Sequence, residues 1–197
     1  MKTETGGRRT GPAQLIFLAS MVALDFAFGM VAKPLMHASG LGTFVKVEMV
    51  VPAMLWALSR LTLDRFGTSL AYQLAWGLLA TVLMPLAVLP GPLKLVPLLI
   101  QGLFFDAIYS GFRRWEGGRV YLAAGVSAVI GSACQAGMQL YMGLPWAKAT
   151  QALLGFRTLT SLAVHLAGAA LALAVWRRVR GLQGLRLLRV GPGGEAR

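Results

Sequence analysis

One cysteine, Cys134, occurs in 197 residues, so the chain can close no internal disulfide and build no cysteine-based metal cluster. Acidic residues number 7, and charged residues of both signs make up 13% of the chain. A soluble domain carries roughly 25% charge to wet its surface, so a water-facing globule is excluded. The sequence has no Gly-x-Ser-x-Gly elbow, no His-Glu-x-x-His pair and no Gly-x-x-x-x-Gly-Lys-Ser/Thr phosphate loop. It therefore shows neither a hydrolytic centre nor an ATPase of its own. We expect no enzyme activity and no cofactor. The two histidines, His37 and His165, stand far apart and speak against a metal site.

What is present is apolar. Hydrophobic residues make up 56% of the chain, and a helix needs about 20 such residues to cross the hydrocarbon layer. Six runs qualify, at 13–36, 43–60, 67–89, 93–112, 119–142 and 149–177, separated by short stretches of turn and breaker residues such as Leu89-Pro90-Gly91-Pro92. Backbone polar groups in lipid must be satisfied locally, so these runs are predicted to be helices. The expectation is an all-α integral membrane protein: a six-helix bundle over 13–177, with an N-terminal tail over 1–12 and a basic tail over 178–197.

Nineteen basic residues give a net charge of +12. With six spans, fourteen of them, among them Arg8, Arg9, Arg60, Arg65, Arg113, Arg114, Arg119, Arg177 and Arg178, fall on the side of the termini. Lys33, Lys46, Lys94 and Lys148 fall on the other side, and Arg157 lies within a span. The positive-inside rule then places both termini in the cytoplasm of a cell-membrane protein. Orientation accounts for the excess charge, and no nucleic-acid partner is needed to explain it.

Polar residues inside apolar runs are the functional candidates. Counted at 1.5 Å per residue from the outer ends, Glu48, Gln101, Gln135, Gln139 and Arg157 fall in one layer of the outer half. Lys94 shares a helix face with Gln101, and Gln151 with Thr158, which has Arg157 beside it and His165 one repeat below. Convergent polar groups in an apolar wall are what a small-molecule pocket requires. Its mouth is expected at Lys33, His37, Lys46 and Trp146. Lys94, Lys46 and Arg157 favour an anionic ligand, with Glu48 able to meet an amine. Asp106 reads as a structural ion pair near Arg113 and Arg114, and Trp56, Tyr72, Trp76 and Tyr141 as core or belt aromatics. In the first run Ala19, Ala23 and Ala27 form an i, i+4, i+8 ladder of small residues that admits close helix approach. Asp25 lies about 200° round the helix from Ala23, so if Asp25 faces inward the ladder faces out.

The six-run layout, the alanine ladder and the segment Pro90-Gly-Pro-Leu-Lys94-Leu-Val-Pro97, followed by Gln101-Gly102 and Asp106, resemble the substrate-binding S component of energy-coupling factor transporters. The resemblance implies a bundle that captures a vitamin or vitamin precursor from outside, with Glu48, Lys94, Gln101, Gln135, Gln139, Trp146, Arg157 and Thr158 as candidate binding residues. It also implies that Ala19, Ala23 and Ala27 face a transmembrane coupling protein, and that two cytosolic ATPase subunits supply the energy. The competing reading is a membrane scaffold similar to the rod-shape protein MreD, with no small-molecule substrate.

Overall fold

The computed structural model describes residues 11–38, 47–83, 89–115 and 117–182, without the side chains of Lys33, His37, Val47, Gln151, Ala152, Leu154, Phe156 and Arg157. Among the described residues there is no strand. The helices are α1 (Pro12–Ala38), α2 (Val50–Leu63), α3 (Thr68–Leu83), α4 (Leu95–Gly111), α5 (Gly118–Tyr141), α6 (Trp146–Leu154) and α7 (Phe156–Val179). One turn of 3-10 helix leads into α2 (Val47–Met49) and another into α4 (Gly91–Lys94). Pro52 and Pro97 then sit in the first turn of their helices, where a missing N–H leaves no bond unmade.

Four stretches, Pro12–Met36, Gly91–Gly111, Gly118–Tyr141 and Thr158–Val179, are long and apolar enough to cross a membrane. α2 and α3 have 14 and 16 residues, about 21 and 24 Å, short of the roughly 30 Å of hydrocarbon. Six apolar runs therefore resolve, among the described residues, into four full-length helices and two shorter ones. Residues 43–46 and 84–88, which belong to the second and third runs, lie outside the described residues.

The sixth run is not one helix. It breaks at Gly155, whose backbone is extended (φ −87°, ψ −173°), at the residue type that least favours helix after proline. The nine residues before it, α6, carry Lys148, Thr150 and Gln151, and are too polar to extend a lipid-buried helix. α6 buries Ala149 and exposes Trp146 and Lys148, and it rests on α5 and α7.

α4 packs between α3 and α5, α2 lies against α7, and α1 covers α2 and α3. Glycines set the closest approaches. A Cβ on Gly102 of α4 would stand 2.9 Å from the Ser69 carbonyl oxygen of α3, and one on Gly168 of α7 would stand 2.6 Å from the Ala53 Cβ of α2. Small residues at such crossings let backbones meet where no hydrophobic force holds helices together.

At the bundle end that includes the α2–α3 turn and the start of α5, the buried residues form one cluster, including Leu18, Val22, Leu61, Phe105, Tyr109, Ala172 and Trp176. A polar knot is set into it. Arg60 Nε lies 2.7 Å from Asp106 Oδ1, with 2% and 0% of the side chains exposed. Asp106 Oδ2 also accepts the backbone N–H groups of Ser69 and Leu70 at 3.0 and 3.1 Å. Those amides belong to the first turn of α3, which has no carbonyls of its own to bond them, so α4 caps α3. Arg60 and Arg119 both lie over the Tyr109 ring, 4.3 and 4.2 Å from its centroid. The ion pair expected for Asp106 near Arg113 and Arg114 is thus made with Arg60 of α2; Arg113 and Arg114 are exposed.

Candidate functional site

Where α2 and α4 begin, the helices do not close on one another and enclose a cavity of about 310 Å³. Its wall follows from helical periodicity. α2 with its leading turn contributes Met49, Pro52, Ala53 and Trp56, α4 with its leading turn contributes Lys94, Pro97, Leu98 and Gln101, and α5 contributes Ala128, Gly131, Ser132 and Gln135. Each set has i, i+3, i+4, i+7 spacing, one helix face in each case. α1 adds Asp25, Phe26 and Gly29, α3 adds Tyr72, Gln73, Trp76 and Ala80, and α7 adds Ser161, Val164 and His165. Trp56 and Tyr72 belong both to this wall and to the buried cluster, so they form its floor.

The polar groups are individually placed. The Tyr72 hydroxyl donates to Asp25 Oδ2 at 2.7 Å, tying α3 to α1 inside the bundle. Lys94, 7% exposed, donates from Nζ to the Ala80 carbonyl at 3.4 Å. His165 Nδ1 lies 2.7 Å from the Ser161 carbonyl, an acceptor only, so Nδ1 carries the proton. In the neutral ring Nε2 is then an acceptor, and the Gln101 amide nitrogen donates to it at 3.0 Å. This orients the amide and turns the Gln101 carbonyl oxygen toward Gly131 of α5, where a Cβ would stand 3.1 Å from it.

Five buried side-chain polar atoms lack a hydrogen-bond partner among the described residues. Two of them, Arg60 Nε and Asp106 Oδ1, face each other as the ion pair described above. Two of the remaining three, Glu48 Oε2 and Trp56 Nε1, belong to residues that line the cavity. Buried polar groups left unmet cost free energy, and native structures tolerate them chiefly where something else completes the bond.

Of the predicted binding residues, Glu48, Lys94, Gln101 and Gln135 come together in this wall. Gln139 is buried but lies outside it, and Thr158 does not line it. Trp146, 71% exposed, stands on the outside of α6 and not at a mouth. The side chain of Arg157 lies outside the described residues, as do Lys46 and the side chains of Lys33 and His37. Sequence reasoning left out Asp25, Gln73, Ser132 and Ser161, placed His165 only as a deeper repeat, and assigned Trp56, Tyr72 and Trp76 to core or belt. Gln73, Trp76 and Ala80 share a face by spacing, which is the signal that joins them to the site; Tyr141, 82% exposed, is the outward aromatic.

On α1 Asp25 is buried, while Ala19, Ala23 and Ala27 are all exposed. The small-residue ladder therefore lies on the outer surface of the bundle, beside Leu15, Ile16, Leu24, Met30 and Val31.

Comparison with protein-family models, with curated proteins and with solved structures finds no match to this chain.

Proposed function

We propose that this chain is the membrane-embedded substrate-binding subunit of an uptake transporter of the energy-coupling factor type, which captures a vitamin, a vitamin precursor or a related micronutrient. The cavity carries this reading. Its volume falls at the lower end of the range usual for small-molecule sites, its wall mixes rings with a few placed polar groups, and two orphaned buried atoms belong to residues that line it. A scaffold has no use for an interior cavity lined by individually placed polar side chains.

The orientation with both termini in the cytoplasm and six membrane crossings is part of the proposal. It puts Arg60, Arg65, Arg113, Arg114, Arg119, Arg177 and Arg178 inside and opens the cavity outward. α2 and α3 then cross with the help of their flanking turns, a short hydrophobic length being accommodated by local thinning. The sequence holds no ATPase loop of its own, so energy must come from partners: a transmembrane coupling protein against the Ala19, Ala23 and Ala27 ladder, and two cytosolic ATPases beneath it.

The experiment is affinity purification from the native membrane in mild detergent. The wild-type chain brings down a membrane protein and two proteins with phosphate-binding loops, and Ala23→Trp, which puts an indole on the outward face, loses all three while keeping its own fold. Equal recovery of the same set with Ala23→Trp refutes the placement of the coupling face. Repeated recovery of the chain alone refutes the transporter reading.

A further inference from the structure

Several polar side chains of the cavity wall are already engaged by the protein. Tyr72 donates to Asp25, Lys94 to the Ala80 carbonyl, Gln101 to His165, and the Ser132 hydroxyl to the Ala128 carbonyl at 2.9 Å. Two amides are not. Among the described residues neither Gln73 of α3 nor Gln135 of α5 has a hydrogen-bond partner. Unlike Glu48 Oε2 and Trp56 Nε1, their amide atoms are not sealed from the cavity they line. Gln73 is 8% exposed and lies on the buried face of α3 beside Tyr72 at the floor, so the surface it keeps is cavity surface. Gly102 of α4 makes room for it, since a Cβ on that glycine would stand 3.2 Å from Gln73 Cγ. Gln135 lies one turn of α5 beyond Gly131, about 6 Å nearer the end where α2 and α4 begin.

Resting on the receptor reading above, we propose that the cavity takes a flat ring bearing an amide edge, a carboxamide or a lactam, which pairs with the Gln73 side chain at the floor. The ring lies among Phe26, Trp56 and Trp76, whose flat faces favour stacked or edge-on rings, and Gln135 meets the outer end of the ligand. A glutamine amide presents a donor and an acceptor side by side. Both are met at once only by a partner that offers the reverse pair, as when glutamine reads the donor and acceptor edge of adenine. A carboxylate offers acceptors alone and an ammonium donors alone, so each leaves half of the Gln73 amide unmet once the ligand has displaced the water beside it.

The test uses purified protein in detergent, thermal unfolding, binding titrations and two matched sets of probes. Benzamide is compared with benzoate, benzylamine and acetophenone, which keep the ring and change only the polar group. Oxindole, a flat lactam, is compared with N-methyloxindole, which keeps the carbonyl and loses the N–H. Benzamide and oxindole raise the unfolding temperature more than any of the others. Gln73→Met, close in shape but without the amide, weakens oxindole binding by roughly 10- to 100-fold and erases the preference over N-methyloxindole. Its unliganded Tm stays near that of the wild type, because the amide bonds nothing in the protein. Gln135→Met lowers the affinity for both members of the pair alike. An equal or larger shift with benzoate, benzylamine, acetophenone or N-methyloxindole overturns the proposal, as does no shift with either amide or an oxindole affinity that Gln73→Met leaves unchanged. Mass spectrometry of any metabolite retained through purification separates the two readings. A retained compound with no amide edge refutes the amide while leaving the receptor in place, and a protein that retains nothing and responds to no probe refutes both.

Discussion

Removing the Asp106 carboxylate tests whether the end of the bundle opposite the cavity is held by one polar knot. In Asp106→Ala, Arg60 remains 1% exposed with its closest counter-charge gone; Asp64, at 3.4 Å and with 46% of its side chain exposed, replaces it poorly. Stranding one member of a buried pair costs about 3–5 kcal/mol. The Ser69 and Leu70 amides lose their acceptor together, at about 1–3 kcal/mol for each group left dry. These terms overlap, and a loss of about 4 kcal/mol is the working figure. For a chain of this length about 1 kcal/mol moves Tm by roughly 2–4 °C, so thermal unfolding in dodecyl maltoside, followed by tryptophan fluorescence, falls by roughly 8–16 °C. Asp106→Asn keeps an oxygen for the two amides but no charge for Arg60, and loses about half as much. Adding Arg60→Leu to Asp106→Asn removes the stranded charge and recovers part of the loss. A fall of less than about 3 °C for Asp106→Ala, or equal falls for Ala and Asn, refutes the knot as described.

The other predictions concern packing and the orientation of the site. Gly168→Ala drives a Cβ to 2.6 Å from Ala53 Cβ and 2.8 Å from the Met54 backbone nitrogen, so α2 and α7 must separate, costing about 1–3 kcal/mol; an unchanged Tm contradicts this. Gly131→Ala brings a Cβ to 3.0 Å from Gln101 Cδ, and displacement of that amide weakens ligand binding several-fold with little change in unliganded Tm. Binding titrations of the two proteins check it, and equal affinity would show that the Gln101–His165 hydrogen bond does not set the site.

Helix positions were legible in the sequence because hydrophobic run length is a direct physical requirement of lipid. α1, α4 and α5 lie within two residues of their predicted limits at each end. The break at Gly155 was not, because a hydropathy run reads Lys148, Thr150 and Gln151 as tolerated interruptions, whereas a helix that rests across α5 and α7 can keep Lys148 at its exposed side. Asp25 and the alanine ladder were legible as opposite faces, since 100° per residue separates them whatever the neighbours are. Part of the candidate site was legible by depth alone: Glu48, Gln101 and Gln135 share both a layer and a wall, and Lys94 joins them through the helix face it shares with Gln101. Depth fails for Gln139, which lies in the layer but turns away from the cavity, and for Trp146, which belongs to the separate surface helix. The aromatics were misplaced for a different reason. Trp56 packs a ring against Phe105, with centroids 4.5 Å apart, and also lines the cavity, and nothing in a sequence marks a core residue as a floor.

The most direct test of the account is native mass spectrometry of the purified chain, released from detergent beside Ser132→Phe, a variant that projects a ring from α5 into the cavity. The account predicts a mass increment equal to one small molecule on the wild type, absent from Ser132→Phe, with both proteins monodisperse and similar in Tm once the wild type is stripped of ligand. A wild type that is reproducibly bare and binds nothing from a concentrated metabolite extract would contradict it, as would a ligand that Ser132→Phe retains equally well.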